Sequence, residues 1–366
     1  MHSADSNGRV RLSRYGGQRG ITFRFGTKDF KTNLTDLPEH TVFSLYAQAI
    51  SLNKLTYFGL GPTTTEAGRS FYGMRETVVG GSVVKSVYQR LKISAYGEAN
   101  GRFVDLRPSD GQPSPSIARL YTESTAPGLS TQPGTLQLGE GVRMTPVLAN
   151  DRVRLNYSAT YQQYVAPGSS FSFQRLTFDF GHQFALYSKT TRLLTPRNGN
   201  GPDDCSLDPG AKHPECPKAF TRNLEGSLGL RLYNVLSMTP GGDVVPFYFQ
   251  PTLGGSDVNG NASLSSYQDY RFRAPNVLLL RETFEHSVSK WPLGVTFMAD
   301  EGKLGLTRGD IGSSNWLHSF ATGLTLRAGG FPEVFLLFAF GGNEGTHTIA
   351  NVNTSLLGGS ARPSLF

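Results

Sequence analysis

The sequence predicts an all-β protein, a transmembrane antiparallel β-barrel, and three observations predict it. Apolar and polar residues alternate with a period of two along much of the chain. Several alternating segments are too long for the strands of a soluble sheet. The connections between segments alternate between short and long. Composition agrees with this reading. The chain has 366 residues, 43 of them Gly, with 11% aromatic and only 17% charged, where about 7% Gly and roughly 25% charged residues are usual. Disorder goes with few aromatics and dense charge, so it is excluded. A membrane-spanning helix needs about 20 apolar residues, and the longest clean apolar run is Val334 to Phe340. So much Gly and so few Ala/Glu/Lys/Leu blocks argue against a helix-rich enzyme.

The elements follow from the alternation. Sixteen candidate strands begin near Ile21, Val42, Leu55, Phe71, Val87, Ser116, Gln137, Val153, Phe171, Ala219, Val244, Asp269, Leu293, Trp316, Val334 and His347. Twelve or fourteen are the alternative counts. From Arg152 to Gln162, Val153, Leu155, Tyr157, Ala159 and Tyr161 share one face, and Arg152, Arg154, Asn156, Ser158, Thr160 and Gln162 the other. Side chains alternate across a strand, so one face is apolar and the other strongly polar. Leu176, Phe178 and Phe180 oppose Thr177, Asp179 and Gln183 in the same way. The segments 151–165 and 171–187 approach or exceed the length a membrane strand needs, whereas strands of soluble sheets run about 5 to 6 residues. A soluble sandwich would show the alternation but not the strand length or the strongly polar second face.

Short links follow the even-numbered strands: SLNK, GGSVVKS, VAPGSS, SMTPGGD, VSKWP and RAGGFPE. Long ones follow the odd-numbered strands: GPTTTEAGRS, the Cys-containing segment 188–218, LGGSDVNGNASLSSY and DEGKLGLTRGDIGSS. Short turns on one side and long loops on the other describe an outer-membrane barrel. No linker divides the chain, so residues 1–366 read as a single barrel domain, with the weakest strand pattern between 105 and 150. The N-terminal MHSADSNGRVRL has no apolar h-region, so this chain carries no secretory signal. The strand pattern nevertheless places it in the bacterial outer membrane, as a chain whose leader is missing.

Cys205 and Cys216 lie close together in a Gly/Pro/Asp-rich loop. A local disulfide, which requires an oxidising compartment, free thiols and a metal site with His213 are the readings open; no fourth zinc ligand is evident. The formal charge is +7. Basic residues such as Arg24, Arg90, Lys92, Arg152 and Arg154 fall on polar strand faces, which would line a lumen; no nucleic-acid motif accompanies them, and none is expected as a partner. G-x-S-x-G, H-E-x-x-H and P-loop motifs are absent. Asp300 and Glu301 are strand neighbours on opposite faces, hence no carboxylate dyad. No enzymatic activity, catalytic residue, cofactor or metal is expected.

The segment Val245–Phe272, VPFYFQPTLGGSDVNGNASLSSYQDYRF, carries a strand ending in Leu253, Gly254 and Gly255, then a long loop. Further on, Glu282 stands before Phe284 and Asp300 before Gly302, and a Gly-containing strand, SFATGLTLR, follows. Over residues 240–357 this resembles the bacterial surface antigen family of BamA-like outer-membrane barrels. The strand count puts the loop between strands eleven and twelve, the sixth outer loop, where that family carries its loop motif in a sixteen-stranded barrel. The motif position here reads Leu264, Ser265, Ser266 and Tyr267 and lacks the family's Arg and Gly. In the family that Arg folds into the lumen and pairs with wall acids. Asp300 is the acid in position here, and Arg271 or Arg273 the candidate substitute; Glu282 and Gly302 complete the candidate lumen set. No POTRA domain, the periplasmic module of the family, is visible. The resemblance implies outer-membrane protein assembly or translocation, through a weak seam between first and last strands that opens and templates client strands. It also implies outer-membrane lipid, unfolded clients and periplasmic accessory proteins as partners. A passive channel and a membrane anchor for a periplasmic domain are the alternatives.

Overall fold

The two-residue alternation becomes strands almost everywhere it occurs. The computed structural model describes residues 3–13, 16–26, 41–108, 115–150, 152–194, 219–257, 262–288, 293–326, 333–342 and 344–353. In chain order the strands are β1 (Ser3–Ser13), β2 (Gly16–Gly26), β3 (Val42–Tyr57), β4 (Ser70–Tyr88), β5 (Ile93–Arg107), β6 (Thr135–Met144), β7 (Val147–Leu148), β8 (Val153–Val165), β9 (Phe173–Leu194) and β10 (Ala219–Met238). Four two-residue strands follow: β11 (Thr252–Leu253), β12 (Gly255–Ser256), β13 (Ala262–Ser263) and β14 (Phe272–Arg273). The chain closes with β15 (Asn276–Ser287), β16 (Leu293–Gly305), β17 (Leu317–Leu326), β18 (Glu333–Gly342) and β19 (Gly345–Asn353). The main sheet is one antiparallel meander, β1-β2-β3-β4-β5-β6-β8-β9-β10-β15-β16-β17-β18-β19, with β7 beside β8. No pairing of β1 with β19 occurs among the described residues.

Burial shows which solvent each face meets. Glu76, Glu98, Asn100, Arg102, Gln137, Gln162, Thr296 and Asp300 are all buried, while apolar residues on the other face of the sheet are exposed: Phe103 and Phe338 each at 57%, with Leu136, Leu138, Phe297 and Leu336. A soluble sandwich buries the apolar face. Here the polar face is inside and the apolar face outside, which lipid stabilises and water does not. Closure is also what leaves no unpaired backbone in a bilayer. The fold is a transmembrane antiparallel β-barrel.

The strand count differs from sixteen. The described residues form fourteen long strands, one of the alternative counts. The candidate near Leu55 is the end of β3: the SLNK segment is a register irregularity between Leu52 and Leu55, with Asn53 and Lys54 exposed. That is a bulge, one of the devices that bend a strand without ending it. GGSVVKS lies inside β4, and the turn comes at 89–92. The candidate near Ser116 is a single helical turn, α1 (Ile117–Leu120), with Ile117 fully buried. That near Val244 is a 3-10 turn at Phe247–Phe249, with Phe247 fully buried. In both places the apolar residues fill the interior rather than face lipid. The strand β1 was not among the candidates.

The sorting of loops is also less clean than expected. One end of the barrel, the loop end, carries the connections 58–69, 108–134, 239–275 and 306–316, but also the tight links 14–15, 166–172 and 343–344. The other, the hairpin end, carries 89–92, 145–152, 288–292 and 327–332. Leu194 and Ala219, which pair with each other and flank the Cys-containing segment, stand at the hairpin end, opposite the long loops. Cys205 and Cys216 themselves lie outside the described residues.

Candidate functional site: a lumen occupied by its own loop

Above the polar mid-section, the loop end of the lumen is filled. Ile50, Leu52, Leu55, Tyr57, Tyr72, Met74, Val104 and Leu106 from the wall pack with Ile117, Ala126 and Leu129 of the 108–134 connection and Phe247 and Tyr270 of the 239–275 loop. Leu253, Leu264, Tyr267 and Phe272 of the same loop pack on Val277, Leu279 and Leu304 of β15 and β16. Thus the loop 239–275 lies inside the barrel mouth. Two short ladders stiffen it, β11 with β14 and β12 with β13.

Polar contacts fix where it sits. Arg281 of β15 and Asp300 of β16 are directly opposed in the sheet. The guanidinium donates to Asp300 through Nε (2.6 Å) and Nη2 (2.8 Å), a bidentate arrangement that favours arginine over lysine. The same Nη2 donates to the carbonyl of Ala262 at 2.6 Å, and the backbone N–H of Leu264 donates to Asp300 Oδ2 at 2.8 Å. Ser266 N–H donates to Ser319 Oγ of β17 at 2.8 Å. A buried carboxylate is costly unless its lone pairs are filled; the wall arginine and the loop backbone fill them together. Leu264 has φ of 45°, a left-handed conformation uncommon for a branched residue. It turns the backbone N–H toward Asp300.

Two wall glycines make room for the loop. A Cβ on Gly302 would lie 2.8 Å from Leu253 Cδ1 and 3.1 Å from Leu264 Cδ1. A Cβ on Gly342 would lie 2.8 Å from both Ser266 Oγ and Tyr267 Cζ. The motif-position residues Leu264, Ser265, Ser266 and Tyr267 are all buried, as is Leu253, while Gly254 and Gly255 hold φ of 101° and 58° at the bend into β12.

The sequence-predicted set is therefore only partly assembled. Asp300 and Gly302 face the lumen and meet the loop. Asp300 takes Arg281 as its partner, not Arg271 or Arg273. Arg271 instead bonds Glu344, in the β18–β19 turn, and donates to Thr64 Oγ1 and Thr64 O at 2.7 Å each. Arg273 donates to Phe247 O at 2.6 Å and to the Tyr72 hydroxyl at 3.3 Å. Glu282 is exposed on the outer face of β15, between inward-facing Arg281 and Thr283. Strand parity separates it from the lumen. Of the basic residues expected in the lumen, Arg90, Lys92, Arg152 and Arg154 are exposed near the hairpin end. The lumen uses Arg102, paired with Glu76, and Arg231, paired with Asp179, instead. Sequence reasoning missed Arg281. Its signal was available: one residue before the quoted Glu282, it has the opposite parity and hence the lumen face.

No known family matches the chain by sequence, and no curated protein does either. Among solved structures, CdiB from Acinetobacter baumannii is 13% identical over 95% of this chain, with a TM-score of 0.48. BamA from Haemophilus ducreyi, lacking POTRA domains 1–3, is 10% identical over 95% of this chain, with a TM-score of 0.49. LpxR from Salmonella typhimurium is 9% identical over 79% of this chain, with a TM-score of 0.30. The chain spans 57% of the CdiB chain, 68% of the BamA chain and 84% of the LpxR chain.

Proposed function

We propose that this chain is a bacterial outer-membrane barrel of the surface antigen type that serves outer-membrane protein assembly or translocation. The observation that carries the reading is the seat of the 239–275 loop on the lumen wall, through Leu264 N–H to Asp300 and Ser266 N–H to Ser319. A passive channel gains nothing from a lumen occupied by its own loop, because conduction requires an open water path. A barrel that handles other chains needs its lumen closed at rest. The resemblance over residues 240–357 points the same way. The first and last strands, β1 and β19, would then be where a client strand pairs, by strand addition to an edge. Outer-membrane lipid, unfolded barrel clients and periplasmic accessory proteins are the partners of this reading.

The test is reconstitution of the full chain into lipid vesicles. The expected result is a low resting conductance together with faster folding of an added, urea-unfolded barrel protein than in empty vesicles. A large steady conductance with no effect on client folding would overturn the proposal and favour the channel. Neither conductance nor client folding would favour the anchor.

A further inference from the structure

Below the seated loop the lumen holds a cavity of about 210 Å³, far more than the roughly 10–15 Å³ one water needs. Four arginines line it, Arg102, Arg175, Arg231 and Arg273, with three acids, Glu76, Asp179 and Asp257. Glu76 is paired with Arg102 and Asp179 with Arg231. Asp257 acts electrostatically on Arg231. Arg175 and Arg273 have no carboxylate partner among the described residues. Both guanidiniums are held by one turn. Arg175 Nη2 donates to Phe249 O at 2.6 Å, and Arg273 Nη1 to Phe247 O at 2.6 Å and Gln250 O at 3.5 Å. Arg175 also stands over the Tyr164 and Phe173 rings. The Nε of each arginine is buried with no hydrogen-bond acceptor, and Arg273 as a whole is only 3% exposed. The Tyr248 hydroxyl, on the same lining, is likewise buried and unpartnered.

A buried guanidinium costs free energy until its charge and its donors are both met. Carbonyls meet some of the donors here, and ring faces offset part of the charge of both guanidiniums, but among the described residues no carboxylate is paired with either. Water would satisfy an N–H but not the charge. We propose that this cavity binds a small phosphate-type oxyanion, held between Arg175 and Arg273 with the Tyr248 hydroxyl as a further donor. Several acceptor oxygens on one anion suit the guanidinium fork. The anion would be free phosphate or a phosphate carried on a lipid head group. This site does not depend on the assembly reading.

The test uses the refolded full chain in zwitterionic detergent, titrated calorimetrically with inorganic phosphate and, separately, with phosphatidic acid in mixed micelles. Saturable binding of free phosphate identifies the free anion, and binding of the lipid alone identifies the head group; either supports the site. Arg175→Gln, Arg273→Gln and Tyr248→Phe follow. Loss of one charge-assisted donor should weaken binding by about tenfold or more for either arginine, and less for the tyrosine. Arg273 also ties the loop to Tyr72, so Arg175→Gln, whose one hydrogen bond to the protein is to the Phe249 carbonyl, is the deciding variant. Its heat-dependent mobility on a cold SDS gel checks that the barrel remains folded. If neither probe binds, or if Arg175→Gln binds phosphate as well as the parent, the cavity holds only water and the proposal fails.

Discussion

Replacing Gly302 by Val should unseat the loop. The Cβ alone would lie 2.8 Å from Leu253 Cδ1 and 3.1 Å from Leu264 Cδ1, well inside the 3.5–4.0 Å at which carbon atoms rest. Leu264 is fully buried and Leu253, 1% exposed, borders the cavity beneath the loop, so the contact is relieved only by shifting side chains within the packed loop. Two further methyl-sized carbons turn this contact into overpacking, which costs about 1–3 kcal/mol. The opposing seat includes, beside the apolar packing, two hydrogen bonds from the loop backbone, Leu264 N–H on the Asp300 carboxylate and Ser266 N–H on the Ser319 hydroxyl. Together these are worth about 2–4.5 kcal/mol net. Overpacking therefore weakens the seat without abolishing it, and the unseated population rises about 5- to 150-fold. Single-barrel recordings in planar bilayers should show more frequent openings by that factor, with heat-dependent gel mobility retained. Leu264→Ala removes one of the two side chains that the valine meets, so the double variant should fall part of the way back toward the parent. Unchanged opening in Gly302→Val, or strictly additive effects in the double variant, would refute the packing argument.

Other predictions follow from the same contacts. Arg281→Met and Asp300→Asn should be strongly coupled in a double-mutant cycle of barrel stability, since breaking one side of a buried pair costs about 3–5 kcal/mol; Arg271→Ala with Asp300→Asn should be additive, and coupling there would move the Asp300 partner back to the loop. Burial pushes the carboxyl of Asp269, in the long loop, above the usual carboxylate range, against the pull of the Ser256 N–H and His347. The folded state then holds this proton longer than the unfolded one, so stability falls as pH rises from the ordinary carboxylate range through the raised value. Asp269→Asn should accordingly raise the melting temperature at pH 7 and leave it nearly unchanged at acid pH; an equal shift at both would refute the assignment. An impermeant thiol reagent applied to intact cells should label Ser124→Cys and Gly312→Cys alike, both exposed in loop-end connections; labelling of one without the other would refute their placement at one end of the barrel.

The barrel was legible in the sequence because a strand has period two and a bilayer inverts which face is apolar. Arg152 to Gln162 carries both facts in eleven letters. Strand ends were not legible. SLNK reads as a turn because Ser and Asn are turn formers, and only the paired register shows a bulge that lets β3 continue to Tyr57. Ile117 and Phe247 read as strand residues because apolarity alone does not distinguish lipid from a loop-filled interior. The fit of Asp300 and Gly302 to the lumen followed from parity. The partner of Asp300 did not, because it depends on which residue of the next strand stands opposite, and register is set by the assembled sheet. That register put Arg281 against Asp300, which leaves Arg271 to bridge Thr64 and Glu344 and leaves Ser265 and Ser266 without need of an arginine beside them. The cavity beneath the loop is likewise a tertiary product: Arg175 and Arg273 are 98 positions apart, and line one cavity because each donates to a carbonyl of the turn at Phe247–Phe249.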